Sequence, residues 1–423
     1  MYNAVIFDLD GTLTDSGEGI FNCVRYTLDK MNRPQLDDAT LRRFIGPPLA
    51  ESFMNYCGMD EDTAREATRF YRERYVPIGW KENTVYPGIR ALLRHLKKQG
   101  VYLAVATGKP QTTAQTVLDY FGLSEYMDQI AGPMAGELHA NKADLIRRVL
   151  PDNCKALMVG DTAGDVKGGH DTGIDSAAAL WGYGTEESLL NAKPTHVCKT
   201  VSDLMTLLGC PQEKGLFITF EGVDGCGKTT QMNLLEKQLI HFGYPVYRTR
   251  EPGGCPIAED IRKIVLSQED GGMCSETEAL LFAAARAQHV KQVILPKTKE
   301  GHTVICDRFV DSSLVYQGMG RELSMDWVKL INRIAFESGA PDMTVLLRLP
   351  REESLRRRNA SSTPDRIEKA GDAFFARTEK GFDQLAAENP DRIIPVDAHG
   401  TPDEVAERVW QAVWAKLKEA ALS

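Results

Sequence analysis

Residues 216–230 read LFITFEGVDGCGKTT. LFITF is a short apolar run of the kind that a parallel sheet buries on both faces, and Gly222 to Thr229 fit the pattern G-x-x-x-x-G-K-[ST]. The helix-length stretch TTQMNLLEKQLIHFG follows at once. Strand, glycine-rich turn and helix in that order aim backbone N–H groups and a helix N-terminus at one point, which suits a polyphosphate. On this reading Gly222, Val223, Asp224, Gly225, Cys226, Gly227, Lys228, Thr229 and Thr230 line an ATP site. Lys228 reaches the β and γ phosphates, and the Thr229 hydroxyl binds Mg²⁺. The competing reading is a glycine-rich turn with no ligand, and a correctly spaced Lys-Thr pair between strand and helix weighs against it.

The same alternation continues downstream. PVYRTRE, TVICDR, MTVLLRL and RIIPVDA are strand-like, and helical stretches such as ETEALLFAAARAQHVKQVIL separate them. Upstream, CPQEKG at 210–215 is a polar connector. Before it stands another series of short apolar runs: AVIFDLD, VYLAVAT at 101–107, ALMVGD at 156–161 and SAAAL at 176–180. Helical patterns (FNCVRYTLDKM, ATLRRFI, AREATRFYRERYV) interrupt that series at about residues 16–83, and VSDLMTLLG closes it as a helix ended by Gly209. The expected fold class is α/β, with two parallel-sheet domains at 1–209 and 216–423 joined by a linker at 210–215. A chain of 423 residues has room for both.

Composition narrows the setting. With 43% hydrophobic and 26% charged residues the balance is that of globular protein. The net charge of -9 is shared by both halves, so neither is a basic nucleic-acid binder. The nine cysteines include no C-x-x-C pair, which argues against zinc ligation, and their odd total argues against a secreted disulfide framework. No apolar run is long enough to span a bilayer, and acidic residues stand among the first ten positions, unlike a signal peptide. The expectation is a cytoplasmic protein acting on small molecules, with neither nucleic acid nor membrane as partner.

The opening run, VIFDLDGTLTDS at 5–16, carries a different chemistry. Asp8 and Asp10 lie two apart at a strand end, so both side chains point to the same side. One carboxylate can accept a phosphoryl group while the other protonates the leaving oxygen and later activates water. Asp161 and Asp165, in GDTAGD, complete a hard-oxygen Mg²⁺ site with Asp8 and the Asp10 carbonyl. Thr107 in VATGKP and Lys142 in HANKADL are placed to hold phosphoryl oxygens and neutralise charge. Taken singly, Lys142 reads equally as a surface lysine and Thr107 as a helix cap.

Together and in this order, these residues resemble the haloacid dehalogenase superfamily of phosphatases over residues 1–209. The resemblance implies a Rossmann-like core, a helical cap formed by the insertion at about 16–83, and a cap loop at FIGPPL, 44–49. Members of this kind include phosphoglycolate phosphatases and 5′-nucleotidases, and the motifs do not separate the two.

Downstream, TREPGG at 249–254, FAAAR at 282–286, CDRFVDSSLVYQG at 306–318 and DRIE at 365–368 follow the glycine-rich turn. In order and spacing they resemble thymidylate kinase, a P-loop nucleoside monophosphate kinase, over residues 215–420. The resemblance implies transfer of the ATP γ-phosphoryl group to dTMP, and homodimers paired through the kinase domain. Arg250 and Arg308 follow strand-like runs and have the chemistry to grip the dTMP phosphate. By resemblance Phe282 stacks on thymine and Arg286 reads its O4, although an Ala-rich helix makes Phe282 an equally good core residue. Tyr316 resembles the residue that crowds the 2′ position, Gln317 one that contacts the base, and Asp224 the carboxylate near the 3′-hydroxyl and metal.

Four positions depart from that pattern. Gly225 stands where some members carry a catalytic arginine, which assigns that charge to the lid, RRRNASSTPDRIE at 356–368. Ser361 occupies the place four before Asp365 where the arginine is expected, leaving Arg357, Arg358 and Arg366 as candidates. Cys255 and Arg348 replace a usual threonine and a usual acidic residue. The first reading is thus a bifunctional enzyme; a rival is a phosphatase joined to a weak or nucleotide-sensing kinase domain.

Overall fold

The computed structural model describes residues 2–134, 137, 141–211, 213–267, 272–359 and 371–422. It divides into two compact units, Met1–Pro211 with Ile240–Gly243, and Gln212–Leu239 with Tyr244–Ser423. Among the described residues no helix is long and apolar enough to cross a membrane.

In the first unit the strands are β1 (Ala4–Phe7), β2 (Thr14–Asp15), β3 (Thr84–Val85), β4 (Tyr102–Ala106), β5 (Gln129–Ala131), β6 (Ala156–Gly160), β7 (Asp175–Ala179) and β8 (His196–Cys198). Six of them form a parallel sheet in the order β5-β4-β1-β6-β7-β8. The residues of β1 and β6 are buried throughout, as apolar runs covered by helices on both faces must be. The edge strands β5 and β8 have three residues each, QIA and HVC, too few to stand out as apolar runs in the sequence. Strand β1 ends at Phe7, so Asp8 and Asp10 lie in the turn beyond it and strand alternation does not govern where they point.

The helices Gly17–Lys30, Asp38–Arg42, Leu49–Cys57 and Glu61–Tyr75 gather around a core of their own that includes Val24, Leu28, Phe44, Phe53 and Tyr71. At its base, β2 and β3 pair antiparallel, Thr14 with Val85 and Asp15 with Thr84. This ladder ties together the strands of chain entering and leaving the cap.

In the second unit β9 (Phe217–Glu221), β10 (Val246–Arg250), β11 (Thr303–Asp307), β12 (Met343–Arg348) and β13 (Ile393–Asp397) form a parallel sheet in the order β10-β11-β9-β12-β13. Its two faces are covered by separate apolar clusters, one around Phe217, Phe309 and Phe382, the other around Phe220, Leu235 and Val409. In each sheet the first strand of the series, β1 or β9, has later strands on both sides. A crevice therefore opens beyond its carboxyl end, at the topological switch point where ligands of such sheets bind.

One buried ion pair braces the second sheet. Arg392, just before β13, donates to both Asp311 oxygens at 2.6 and 2.8 Å and to Thr344 Oγ1 at 2.9 Å. Asp311 is 2% exposed, so removing Arg392 alone strands a buried charge. Arg392→Met is expected to destabilise the second unit by about 3–5 kcal/mol in denaturant unfolding, and adding Asp311→Leu to recover much of the loss.

Two candidate active sites

Beyond β1 the chain turns sharply at Gly11, whose φ of +86° and lack of a Cβ let the Asp161 carboxylate pack against the turn. Asp8, Asp161 and Asp165 meet there, all buried, each offering an oxygen within 4.8 Å of the others. Lys142 opens the helix Lys142–Val149, which Asn141 caps through its side chain. That placement sets Lys142 Nζ 2.8 Å from Asp8 Oδ1, 2.8 Å from Asp165 Oδ1 and 3.0 Å from the Ala106 carbonyl. Thr107, at the end of β4, is buried, and its Oγ1 accepts the Lys109 N–H at 3.2 Å.

One lysine does not balance three carboxylates. Burial pushes the Asp8 carboxyl up to about 6, with Lys142 pulling against it and Asp165 adding to it. Burial, then the charges of Asp8 and Asp165, pushes Asp161 up to about 8. Thr12 Oγ1 and the Tyr183 N–H donate to Asp161 at 3.2 and 2.8 Å, while Thr162 donates to Asp165 through N–H and hydroxyl at 3.0 and 2.6 Å. A buried set of hard oxygens short of positive charge fits a divalent cation such as Mg²⁺. The Asp10 carboxylate stands outside this set. Lys109 Nζ grips both its oxygens at 2.9 and 2.7 Å.

Lys109, Thr12 and Tyr183 are contributors that sequence reading missed. Lys109 lies in the quoted VATGKP stretch, two residues after Thr107, but nothing in the sequence tells a buried lysine from a surface one. Tyr183 comes from a loop beyond β7; its hydroxyl accepts the Gly17 N–H at 2.7 Å and donates to Asp15, linking the Asp161 turn to the cap base.

The second site forms beyond β9. Gly222 has φ +138°, and a Cβ there would lie 2.6 Å from the Leu347 carbonyl of β12, so only glycine lets the loop run so close to the sheet. Lys228 is the first residue of the helix Lys228–His241. Its Nζ reaches back to the carbonyls of Gly222 and Val223 at 3.1 and 3.2 Å, closing the cradle on itself, while Thr229 and Thr230 are exposed on the first turn. Gly225 and Cys226 lie within the loop, and the Cys226 thiol is buried and raised above its ordinary range by that burial.

Arg308 follows β11 in a left-handed conformation, φ +67°, which a non-glycine residue rarely adopts. Its guanidinium donates to the Gly222 carbonyl at 3.2 Å, to Ser312 Oγ at 3.2 Å and to the Asp224 carboxylate, and it stacks 5.0 Å from the Tyr316 ring centroid. Asp224, Arg308, Tyr316 and the phosphate loop thus converge. Tyr316 and Gln317 ride on a widened helical turn, Leu314–Gly320, and the Gln317 amide donates to Glu278 at 2.9 Å. The Tyr316 hydroxyl is buried.

Arg286 is 2% exposed and ties the motifs together. It donates to Glu251 at 2.5 Å, Ser313 at 2.9 Å, the Phe309 carbonyl at 3.0 Å and Asn332, which takes four of its five N–H donors. His289 extends the chain, with Glu251 at 3.0 Å on one ring nitrogen and Thr249 at 2.6 Å on the other. Phe282 packs in the core beside Tyr316 and Val315, 9% exposed. Arg250 is half-exposed and paired with Glu259 at 3.1 Å. Arg357 and Arg356 bind Glu353 at 2.8 Å, and Ser354 on the same helix donates to the Asp224 carbonyl at 2.6 Å. The Arg358 side chain and residues 360–370, with Ser361, Asp365 and Arg366, lie outside the described residues. Arg348 pairs with Asp383 at 2.6 Å beside a cavity of about 510 Å³ that Gly222 and Val223 also line.

The profile of the haloacid dehalogenase-like hydrolase family matches residues 5–179, and that of thymidylate kinase residues 220–409. The chain belongs to both families. Its second half is 45% identical over 200 residues to a thymidylate kinase of Syntrophotalea carbinolica, covering 93% of that protein and 46% of this chain. Against a thymidylate kinase of Pelotomaculum thermopropionicum the identity is 48% over 186 residues, with 86% of that protein and 44% of this chain covered. A crystal structure described as a predicted phosphatase from Clostridium acetobutylicum is 40% identical, covers 49% of this chain and 98% of that one, and superposes with a TM-score of 0.46. The chain is thus a thymidylate kinase domain fused behind a haloacid dehalogenase-like hydrolase domain, the first built on the five-stranded sheet and the second on the six-stranded one.

In the kinase domain Glu221 accepts from the Phe309 N–H at 2.7 Å, the Ser312 N–H at 3.2 Å and the Ser312 hydroxyl at 2.6 Å. Burial first, then the charge of Asp311, raises its carboxyl to about 7 against the pull of Arg308. A raised pKa means that the folded state holds a proton the unfolded chain has lost, so this stability is full below the ordinary glutamate range and falls as pH climbs toward 7. Unfolding free energies of wild type and Glu221→Gln from pH 4.5 to 8 should differ in slope, the wild type losing more stability across that window.

Proposed function

We propose that the thymidylate kinase domain transfers the γ-phosphoryl group of ATP to dTMP, giving dTDP. The convergence of Asp224, Arg308 and Tyr316 on the phosphate loop is the observation that carries this reading, because it places cation, carboxylate and ring beside the donor cradle. Lys228 would release its loop carbonyls for the β and γ phosphates, and Arg308 with Arg250 would hold the acceptor phosphate in line. Among the described residues one Arg286 N–H has no acceptor and would meet a base carbonyl, with Phe282 one turn earlier on the same helix. Arg357, held by Glu353 on a helix anchored to the phosphate loop, is the described lid arginine best placed to supply the charge that Gly225 lacks.

In the hydrolase domain the proposed reaction is phosphomonoester hydrolysis. Asp8 attacks phosphorus, the bond to the alcohol oxygen breaks, and Asp10 gives that oxygen a proton; Asp10 then takes a proton from the water that cleaves the aspartyl phosphate. Lys142 and Thr107 hold phosphoryl oxygens. Asp8, Asp161 and Asp165, with the Asp10 carbonyl, would hold Mg²⁺, whose charge offsets that of the phosphoryl group when bound. The substrates that fit are small phosphoesters and nucleoside monophosphates other than dTMP, since hydrolysis of dTMP would oppose the neighbouring kinase.

Two outcomes follow. Full-length protein assayed on a panel of nucleoside monophosphates and small phosphoesters, with and without ATP, should form dTDP; Lys228→Ala should cut this by about 10³-fold and leave phosphate release intact. Asp8→Asn should do the reverse, and dTDP formation that survives Lys228→Ala would refute the kinase reading. Separately, millimolar Mg²⁺ should raise the melting temperature of the hydrolase unit in wild type and fail to do so in Asp161→Asn, because an ion bound only to the folded state stabilises it.

A further inference from the structure

The two buried lysines of the hydrolase site serve different carboxylates. Lys142 serves Asp8 and Asp165, while Thr12 and the Tyr183 N–H serve Asp161. Lys109 has no part in that set. Its side chain is 7% exposed, that of Asp10 is 14% exposed, and its Nζ contacts both Asp10 oxygens. A bidentate grip of this kind leaves the carboxylate little freedom to rotate. The lysine is itself held. Its backbone N–H is tied to Thr107 at 3.2 Å, and its Nζ lies 5.5 Å from the centroid of the Tyr75 ring, a cation–π distance.

Tyr75 is the last residue of the cap helix Glu61–Tyr75 and stacks on Tyr71 of the cap core, with centroids 5.3 Å apart. Its neighbour Arg74 fixes the helix end through a two-pronged pair with Glu82 at 2.6 and 2.8 Å. A continuous path of contacts therefore runs from the cap core through Tyr75 and Lys109 to Asp10.

We propose that Lys109 is a positioning residue that holds the Asp10 carboxylate over the leaving oxygen, and that Tyr75 on the cap holds Lys109 in turn. This rests on the reading of Asp10 as the group that protonates that oxygen. Without Lys109, Asp10 is free to turn toward other cations of the site, and misplacement of a reacting group by about 1 Å can cost on the order of 10²-fold in rate. In ester cleavage the loss falls on the alcohol that needs the proton, while the later attack of water, which Asp10 also assists, slows alike for every ester. An alkyl alcohol leaves poorly without that proton, whereas p-nitrophenolate leaves as the anion.

The test measures the single-turnover rate of ester cleavage, the step before water attacks, for p-nitrophenyl phosphate and for the alkyl phosphoester of the panel above that wild type turns over fastest, using full-length protein. Lys109→Met should lower the single-turnover cleavage rate of the alkyl ester by about 10–100-fold, with KM and the single-turnover cleavage rate of p-nitrophenyl phosphate each within about 3-fold of wild type. Lys109→Arg should restore much of the loss, and Tyr75→Leu should fall between Lys109→Met and wild type. Equal losses on both esters, a change in KM alone, or no loss in Lys109→Met would overturn the proposal. Asp10→Asn is the control for the reading beneath it. If Asp10→Asn shows the ester-dependent loss and Lys109→Met does not, only the positioning role fails; if Asp10→Asn shows none, the role of Asp10 fails with it.

Discussion

Each half of this chain depends on one placement: the first strand of its series sits inside a parallel sheet, with later strands added on both sides. The turn leaving that strand then opens into a crevice where other strands deliver their own carboxyl ends. In the hydrolase domain the turn after β1 carries Asp8 and Asp10, β6 delivers Asp161, and β4 delivers Thr107. In the kinase domain the turn after β9 is the phosphate loop, flanked by β11 with Arg308 and by β12 with Leu347, which forces a glycine at 222. The same architecture therefore serves opposite chemistries. What differs is the charge placed in the crevice.

That difference is a matter of balance. The hydrolase crevice holds an excess of buried carboxylate, which raises the Asp8 and Asp161 carboxyls and makes room for a cation between them. The kinase crevice holds cations partnered by its own groups: Lys228 on loop carbonyls, Arg308 on Asp224, Arg357 on Glu353. On the proposed reading a phosphate offers those cations a stronger partner than a carbonyl does. Arg286 has a different place. With Glu251, Phe309, Ser313 and Asn332 as partners it ties four separate segments of the kinase domain together.

Much of this was legible in the sequence, for physical reasons that differ by element. Long buried strands read as unbroken apolar runs, so AVIFDLD, ALMVGD and LFITF mark the central strands; QIA and HVC, three residues at sheet edges, do not. The phosphate loop and the aspartate pairs carry fixed spacings that few other structures require. Lys109 and Tyr183 carry none, since their roles come from contacts across 99 and 168 residues that no local pattern records. Where β1 stops was also hidden. Two residues of spacing suggested that Asp8 and Asp10 share a strand face, whereas they lie past the strand and each answers to its own lysine.

The central claim is that one chain holds two separate phosphoryl sites, one that receives phosphorus on Asp8 and one that passes it between nucleotides at Lys228. Acid-quenched protein after a single turnover with a radiolabelled phosphomonoester tests this most directly. The account predicts label bound to the protein as an acyl phosphate, lost in Asp8→Asn and retained in Lys228→Ala. Protein-bound label that survives Asp8→Asn, or that disappears in Lys228→Ala, would contradict it.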